Sequence, residues 1–310
     1  MLQLIVFSAL NGVLYGMLLF MLASGLTLIF SMMGVLNFAH ASFYMLGAYF
    51  GFEINRHFGF WLALVLAPPL VGLIGAAVER HGLRRVHRYG HVPELLFTFG
   101  IAAVVEELVN MFWGKLPVDY HVPAALDFTA FTLFGTTYPA YRLFMLGVAI
   151  AMFLFLIVIL RSTRVGLIIQ AALTHPEMAA MLGHNVPLIF MVVFGVGCGL
   201  AGLAGAIAGP ALVTEPSMAA TLGPILFVII IFGGMGSLAG AFIGSLVIGL
   251  IQTFAVAINV SPSSIFSAAA APWFGDLWTV TVAQVAPIIP YLLLVLVLVF
   301  RPTGLMGKRI

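Results

Sequence analysis

Charged side chains are the first thing this chain lacks. Only 7% of its 310 residues are Asp, Glu, Lys or Arg, where a soluble domain carries about 25%. None precedes Glu53, and none lies between Glu215 and Asp276. With 63% of the residues hydrophobic, a water-soluble fold of this length could not hide its apolar surface. The composition excludes a soluble enzyme and requires a bilayer as solvent. No nucleic-acid partner is expected.

Cysteine is nearly absent as well. Cys198 stands alone, which excludes an intrachain disulfide and a cysteine metal site. Its apolar, Gly-rich surroundings assign it to small-residue packing. Lysine occurs twice, at Lys115 and Lys308, followed by Leu116 and Arg309. A phosphate-binding Walker A sequence needs Ser or Thr there, so any ATP must be bound by another polypeptide. There is no HExxH, no nucleophile elbow and no paired-cysteine pattern, so neither a catalytic residue nor a cofactor is expected. His87 and His91 share a helical spacing, with His81 nearby. They sit among arginines that repel a cation and without an apparent set of acidic partners, which reads as a solvated loop. The first residues carry no Lys or Arg and the apolar run is long, so no cleavable signal peptide is expected.

What the chain has is apolar runs long enough to span a membrane, about 20 residues each. They fall near 5–31, 36–53, 60–79, 93–112, 143–160, 188–209 and 284–300. Residues 222–257 form a longer run broken at Gly233, Gly234 and Gly236. The expected architecture is all-α and polytopic, with eight or nine transmembrane segments, the one near 222–234 being short or re-entrant. A single membrane domain over 1–310 is expected, with one polar excursion at 161–187.

Basic residues set the orientation. Arg80, Arg84, Arg85, Arg88, Arg161, Arg164, Arg301, Lys308 and Arg309 fall on one side of a nine-segment chain. Only Arg56, Lys115 and Arg142 fall on the other. The positive-inside rule makes the first side, with the C-terminus, cytoplasmic, and puts the N-terminus outside. Nine crossings keep this parity and a re-entrant 222–234 breaks it. Trp113, Trp273 and Trp278 are then expected near the outer interface, as anchors.

Glycine recurs at close intervals along two segments. Gly195, Gly199, Gly205 and Gly209 mark one helix, and Gly236, Gly240 and Gly244 mark another. Small residues on one helical face let backbones approach closely, so both helices are expected inside the bundle. Polar groups at membrane depth raise a pathway hypothesis. They are Asn37, His40 and Ser42 at the start of the second span, and Glu106 and Glu107 in the fourth. Adjacent residues point about 100° apart on a helix, so both glutamates cannot face one pathway squarely.

The segments GVLNFAHASFYMLGAY (34–49), RSTRVGLIIQAALTHPEMAAMLGHNV (161–186), FGGMGSLAGAFIGSLVIGL (232–250) and RPTGLMG (301–307) resemble the LivH-type permeases. These are the membrane subunits of branched-chain amino acid ABC importers. The likeness covers nearly the whole chain, with Ala41 where that family's pattern suggests glycine. It implies a second homologous permease, two ATPase subunits docking from the cytoplasm and a periplasmic substrate-binding protein, in a bacterial inner membrane. It further implies that 161–187 presents coupling helices to the ATPases, with Gly166, Ala171, Glu177, Ala179, Ala180 and Gly183 in the docking segment. Gly183 is suited to ending a short helix. Related permeases carry urea, short-chain amides or other amino acids, and no residue chooses among these. A self-sufficient secondary transporter or channel is the alternative; the charge-free stretch 216–275 argues against it.

Overall fold

The computed structural model describes residues 2–258, 260–261, 263, 279–301 and 303–307. The expected Trp273 and Trp278 anchors, Lys308 and Arg309 lie outside the described residues. Among the described residues the chain is a helical bundle: α1 (Leu2–Met33), α2 (His40–Phe58), α3 (Phe60–Val78), α4 (His91–Trp113), α5 (Ala140–Ser162), α6 (Arg164–Thr174), α7 (Pro176–Met181), α8 (Val186–Ala208), α9 (Met218–Gly233), α10 (Leu238–Ala257) and α11 (Ile289–Phe300). Seven helical stretches among the described residues are long and apolar enough to cross a membrane: α1, α3 with its irregular continuation, α4, α5, α8, α10 and Val282–Phe300. Two more complete the bundle. α9 is a shorter apolar helix, and α2 falls outside the seven, carrying Glu53, Asn55, Arg56 and His57 near its end.

The core explains how α2 is tolerated. His40 through Tyr49 are buried without interruption, because α3, α4, α8 and α9 pack against the helix and His40 reaches α1. A helix buried on every side needs no single apolar stripe. The glycines of α8 make the enclosure tight. A Cβ on Gly205 would lie 2.0 Å from the Tyr44 carbonyl oxygen, and one on Gly195 2.9 Å from that of Gly72. Gly199 faces Pro68 of α3 at 3.2 Å, and Gly209 meets the Tyr120 ring. Gly240 and Gly244 serve the same end between α10 and α9, against Gly233 and Ile229. Gly236 does not belong to that face. It sits in the turn before α10 with φ +80°, a left-handed conformation that glycine adopts without penalty. Cys198 is buried against Gly75, as small-residue packing requires.

Contacts sort the loops into two ends. At one end Gly34 lies beside His91, Gly236 beside Ser31, and Arg84 reaches the Pro187 carbonyl. The C-terminal stretch joins them: the Leu305 and Met306 N–H groups bond Phe232 and Gly233 carbonyls at 2.9 Å each. At the opposite end Gln3 bonds Thr136, Arg142 bonds Asn11, and Val118 pairs with Thr214. Thus α9 starts just past Thr214 at one end and finishes under the C-terminal stretch at the other, the course of a crossing rather than a re-entrant loop. Its 16 residues reach only about 24 Å, and the loop held by the buried Thr214 makes up the difference.

An antiparallel hairpin, β1 (Thr129–Leu133) with β2 (Thr136–Pro139), interrupts the helices. It turns at Phe134 and Gly135, with φ +52° and +79°. Tyr120 anchors the same loop by donating to the Ala206 carbonyl at 3.2 Å, and burial pushes its phenol pKa up.

Candidate functional site

A cavity of about 630 Å³ opens between α2, α4, α9 and α11. Phe99, Phe227, Ile231 and Leu294 give it an apolar wall. Its polar groups are few: the Ser42 hydroxyl, the Glu106 carboxylate and the Tyr291 phenol. Pro224 lies inside α9 and has no N–H, so the carbonyl of Ala220 loses its usual helix partner on the cavity wall. Gly223 holds α9 close to α2, an added Cβ there meeting Ala41 at 3.6 Å. Ala41 itself, the departure from glycine, lines the cavity.

Of the five polar residues singled out in the sequence, the structure brings two to this cavity. Ser42 and Glu106 line it. Among the described residues Glu106 has no basic partner. Glu107 points away, its carboxylate accepting from the Asn110 amide at 3.4 Å on an exposed face. His40 is turned inward to α1, with Nε2 at 3.0 Å from the Leu22 carbonyl. Asn37 is a turn former, accepting from the Ala39 N–H at 3.1 Å through its side-chain oxygen. Neither lines the cavity. Tyr291 and the Pro224 break were not singled out in the sequence; an internal proline in a short apolar helix was the available signal.

The 161–187 segment is two short helices meeting at His175. Thr163 caps α6 by accepting from the Gly166 N–H at 3.1 Å. Gly166 is required by the sharp turn, since a Cβ would lie 2.3 Å from the Ile159 carbonyl oxygen. Ala172, Ala179 and Val186 form a small separate core, so α6, α7 and the start of α8 hold together. Ala171 accepts from the His175 N–H, and Ala180 from that of Gly183. Gly183, with φ +86°, terminates α7 as the His184 N–H returns to the Ala179 carbonyl at 3.1 Å. Glu177 and Ala180 are exposed. The tip is more apolar than its small residues suggested: Met178, Met181 and Leu182 are 64%, 85% and 79% exposed, a patch that nothing among the described residues covers.

The arginine-rich loop is not simply solvated. His87 and His91 both contact the buried Glu94 carboxylate, the latter at 3.3 Å, so an acidic partner is present that the spacing did not reveal. No three-residue metal cluster forms among the described residues. Trp113 donates its ring N–H to Glu53 at 3.2 Å and packs on Tyr49.

The bundle and its half-open apolar cavity define a multi-pass membrane protein of the transport class. The family model for the permease component of branched-chain amino acid transport systems matches residues 8–299, and the chain belongs to that family. It is 26% identical over 315 residues to the high-affinity branched-chain amino acid transport system permease protein LivH of Escherichia coli K12, covering 96% of this chain and 94% of that one. It is 25% identical to LivH of Salmonella typhimurium, with the same coverage. The permease protein BraD of Pseudomonas aeruginosa is 24% identical over 311 residues, again with 96% and 94% coverage. No solved structure gives a significant match.

Proposed function

We propose that the chain is the membrane-spanning permease subunit of an ATP-driven importer for branched-chain or other apolar amino acids, working by alternating access. The observation that carries this reading is an apolar cavity bearing one unpaired carboxylate, Glu106, beside the Ser42 and Tyr291 hydroxyls. An α-amino acid with an aliphatic side chain matches it in kind. Glu106 would take the ammonium group, the hydroxyls the carboxylate, and Phe99, Phe227 and Ile231 the side chain. Urea and short amides lack both the charge and the apolar bulk that this lining suits.

The permease performs no covalent chemistry. The chain pairs with a second homologous permease, two ATPase subunits dock on the pair from the cytoplasm, one of them on the Met178–Met181–Leu182 tip of this chain, and a periplasmic binding protein delivers the substrate. The membrane is the bacterial inner membrane, with the C-terminus cytoplasmic and the N-terminus periplasmic. Flexible methionine side chains on an exposed tip adapt to a partner surface.

The test is purification of the tagged chain with its native partners, followed by reconstitution and uptake of labelled leucine, valine and urea. Recovery with a Walker-motif ATPase and preferential leucine or valine uptake supports the reading. Activity of the chain alone would replace it with a secondary transporter, and urea uptake would change the substrate.

A further inference from the structure

Between α3 and α4 the backbone makes a π turn over Glu79–Leu83, the Arg84 N–H reaching the Glu79 carbonyl five residues back. Such wide turns recur at functional sites. Two contacts fix this one to different parts of the molecule. On one side Glu79, 1% exposed, is gripped by both arms of the Arg84 guanidinium, at 3.0 and 2.7 Å. The same guanidinium donates to the Pro187 carbonyl at 2.7 Å. Pro187 follows Val186, which belongs to the small core of the 161–187 segment. On the other side Gly82 lies against Phe97 so closely that an added Cβ would sit 2.2 Å from the ring. Phe97 is on α4, two residues before the cavity-lining Phe99.

We infer that Arg84 is a positioning residue that carries displacement of the coupling segment, through the Glu79–Leu83 turn and the Gly82–Phe97 contact, to the wall of the cavity on α4. The inference rests on the coupling role proposed for 161–187. Arg84 suits the task because its planar fork holds a carboxylate with two donors and can still reach a third acceptor. The Glu79 pair is bidentate and Gly82 is packed on the Phe97 ring, and a single hydrogen bond to the Pro187 carbonyl closes the series, so a shift of α8 relative to α4 must strain or break one of these contacts.

The experiment uses the reconstituted complex of the full chain with its partners, and reads substrate taken up per ATP hydrolysed. The paired variant Glu79→Gln/Arg84→Gln removes the link without leaving a buried charge alone. It is expected to assemble with the ATPases and hydrolyse ATP within about twofold of the parent, while the uptake-to-hydrolysis ratio falls about tenfold. Arg84→Lys, which supplies one point charge for two acceptors, should fall between the two. An unchanged ratio in the paired variant overturns the inference. If that variant does not assemble, Phe97→Leu removes the ring beside Gly82 and is held to the same ratio. Gly183→Leu separates the two readings. Should it uncouple while the paired variant does not, the Arg84 link alone fails; should it transport normally, the coupling role fails too.

Discussion

At the scale of single residues, the two adjacent glutamates divide cleanly. Glu106 faces the cavity, and Glu107 faces outward beside Asn110. A charge-assisted hydrogen bond to a substrate ammonium is worth about 2 kcal/mol, roughly a 30-fold change in affinity. Glu106→Gln is therefore expected to raise the KM for leucine uptake by about that factor. Glu107→Gln should leave it unchanged, and an equal effect of the two would remove the site. Gly183 is a different kind of residue, since its φ of +86° strains any side chain placed there. Gly183→Leu is expected to abolish uptake while insertion and ATP hydrolysis persist, measured side by side in proteoliposomes. The sequence displayed which positions were polar but not where they point. His40 and Asn37 look identical in kind to Ser42 on the page. Only the inward turn of the imidazole to Leu22, and the use of the Asn37 amide in a local turn, separates them from the cavity.

At the scale of elements, the glycines of α8 were readable because close helix packing demands them at short intervals, and the structure puts backbone opposite Gly195, Gly199 and Gly205 and the Tyr120 ring opposite Gly209. Gly205→Ala has no room beside the Tyr44 carbonyl, and overpacking of this kind costs about 1–3 kcal/mol. A lowered melting temperature in detergent, with no drop for Gly100→Ala on an open helical face where alanine is the better helix former, is the expected result. Gly236 shares the spacing of Gly240 and Gly244 but belongs to a turn, because sequence interval alone does not say where a helix begins. The π turn at Glu79–Leu83 was invisible for a related reason. One extra residue in a helical turn leaves no compositional mark, and the Arg84 link follows from that extra residue. The hairpin at 129–139 was likewise missed, since strands of five and four residues, TAFTL and TTYP, are too short to stand out in so apolar a chain.

At the scale of the whole molecule, the number and order of segments followed from hydropathy, and the two ends of the bundle sort the basic residues as their spacing suggested. Arg80, Arg84, Arg85, Arg88, Arg161, Arg164 and Arg301 gather at the end that also holds the 161–187 segment. Orientation in the bilayer is open to direct measurement. In a Cys198→Ser background, a single cysteine placed at Met181, 85% exposed, is expected to react with an impermeant maleimide only from the cytoplasmic face. One placed at Leu116, 79% exposed, should react only from the periplasmic face, and the reverse pattern would invert the molecule. The cavity was the part least legible, because it is assembled from four helices distant in sequence and no local pattern encodes their convergence.

The polarity of α2 has a consequence for how the protein is made. Charged residues cost most at a helix centre, roughly 2.5–3.5 kcal/mol each on insertion scales, and less toward its ends; α2 carries Glu53 and Arg56 in its last six residues, with His40, Tyr44 and Tyr49 along its length. Such a segment has little reason to leave the translocation channel for lipid by itself. It must wait there, or in contact with the channel wall, until α3 emerges and the pair can partition together beside α1. A nascent chain halted after Phe58 should therefore keep α2 accessible to aqueous reagents, and one halted after Val78 should bury it. The helix whose first ten residues are buried without a break would become a membrane helix only in company with the one that follows it.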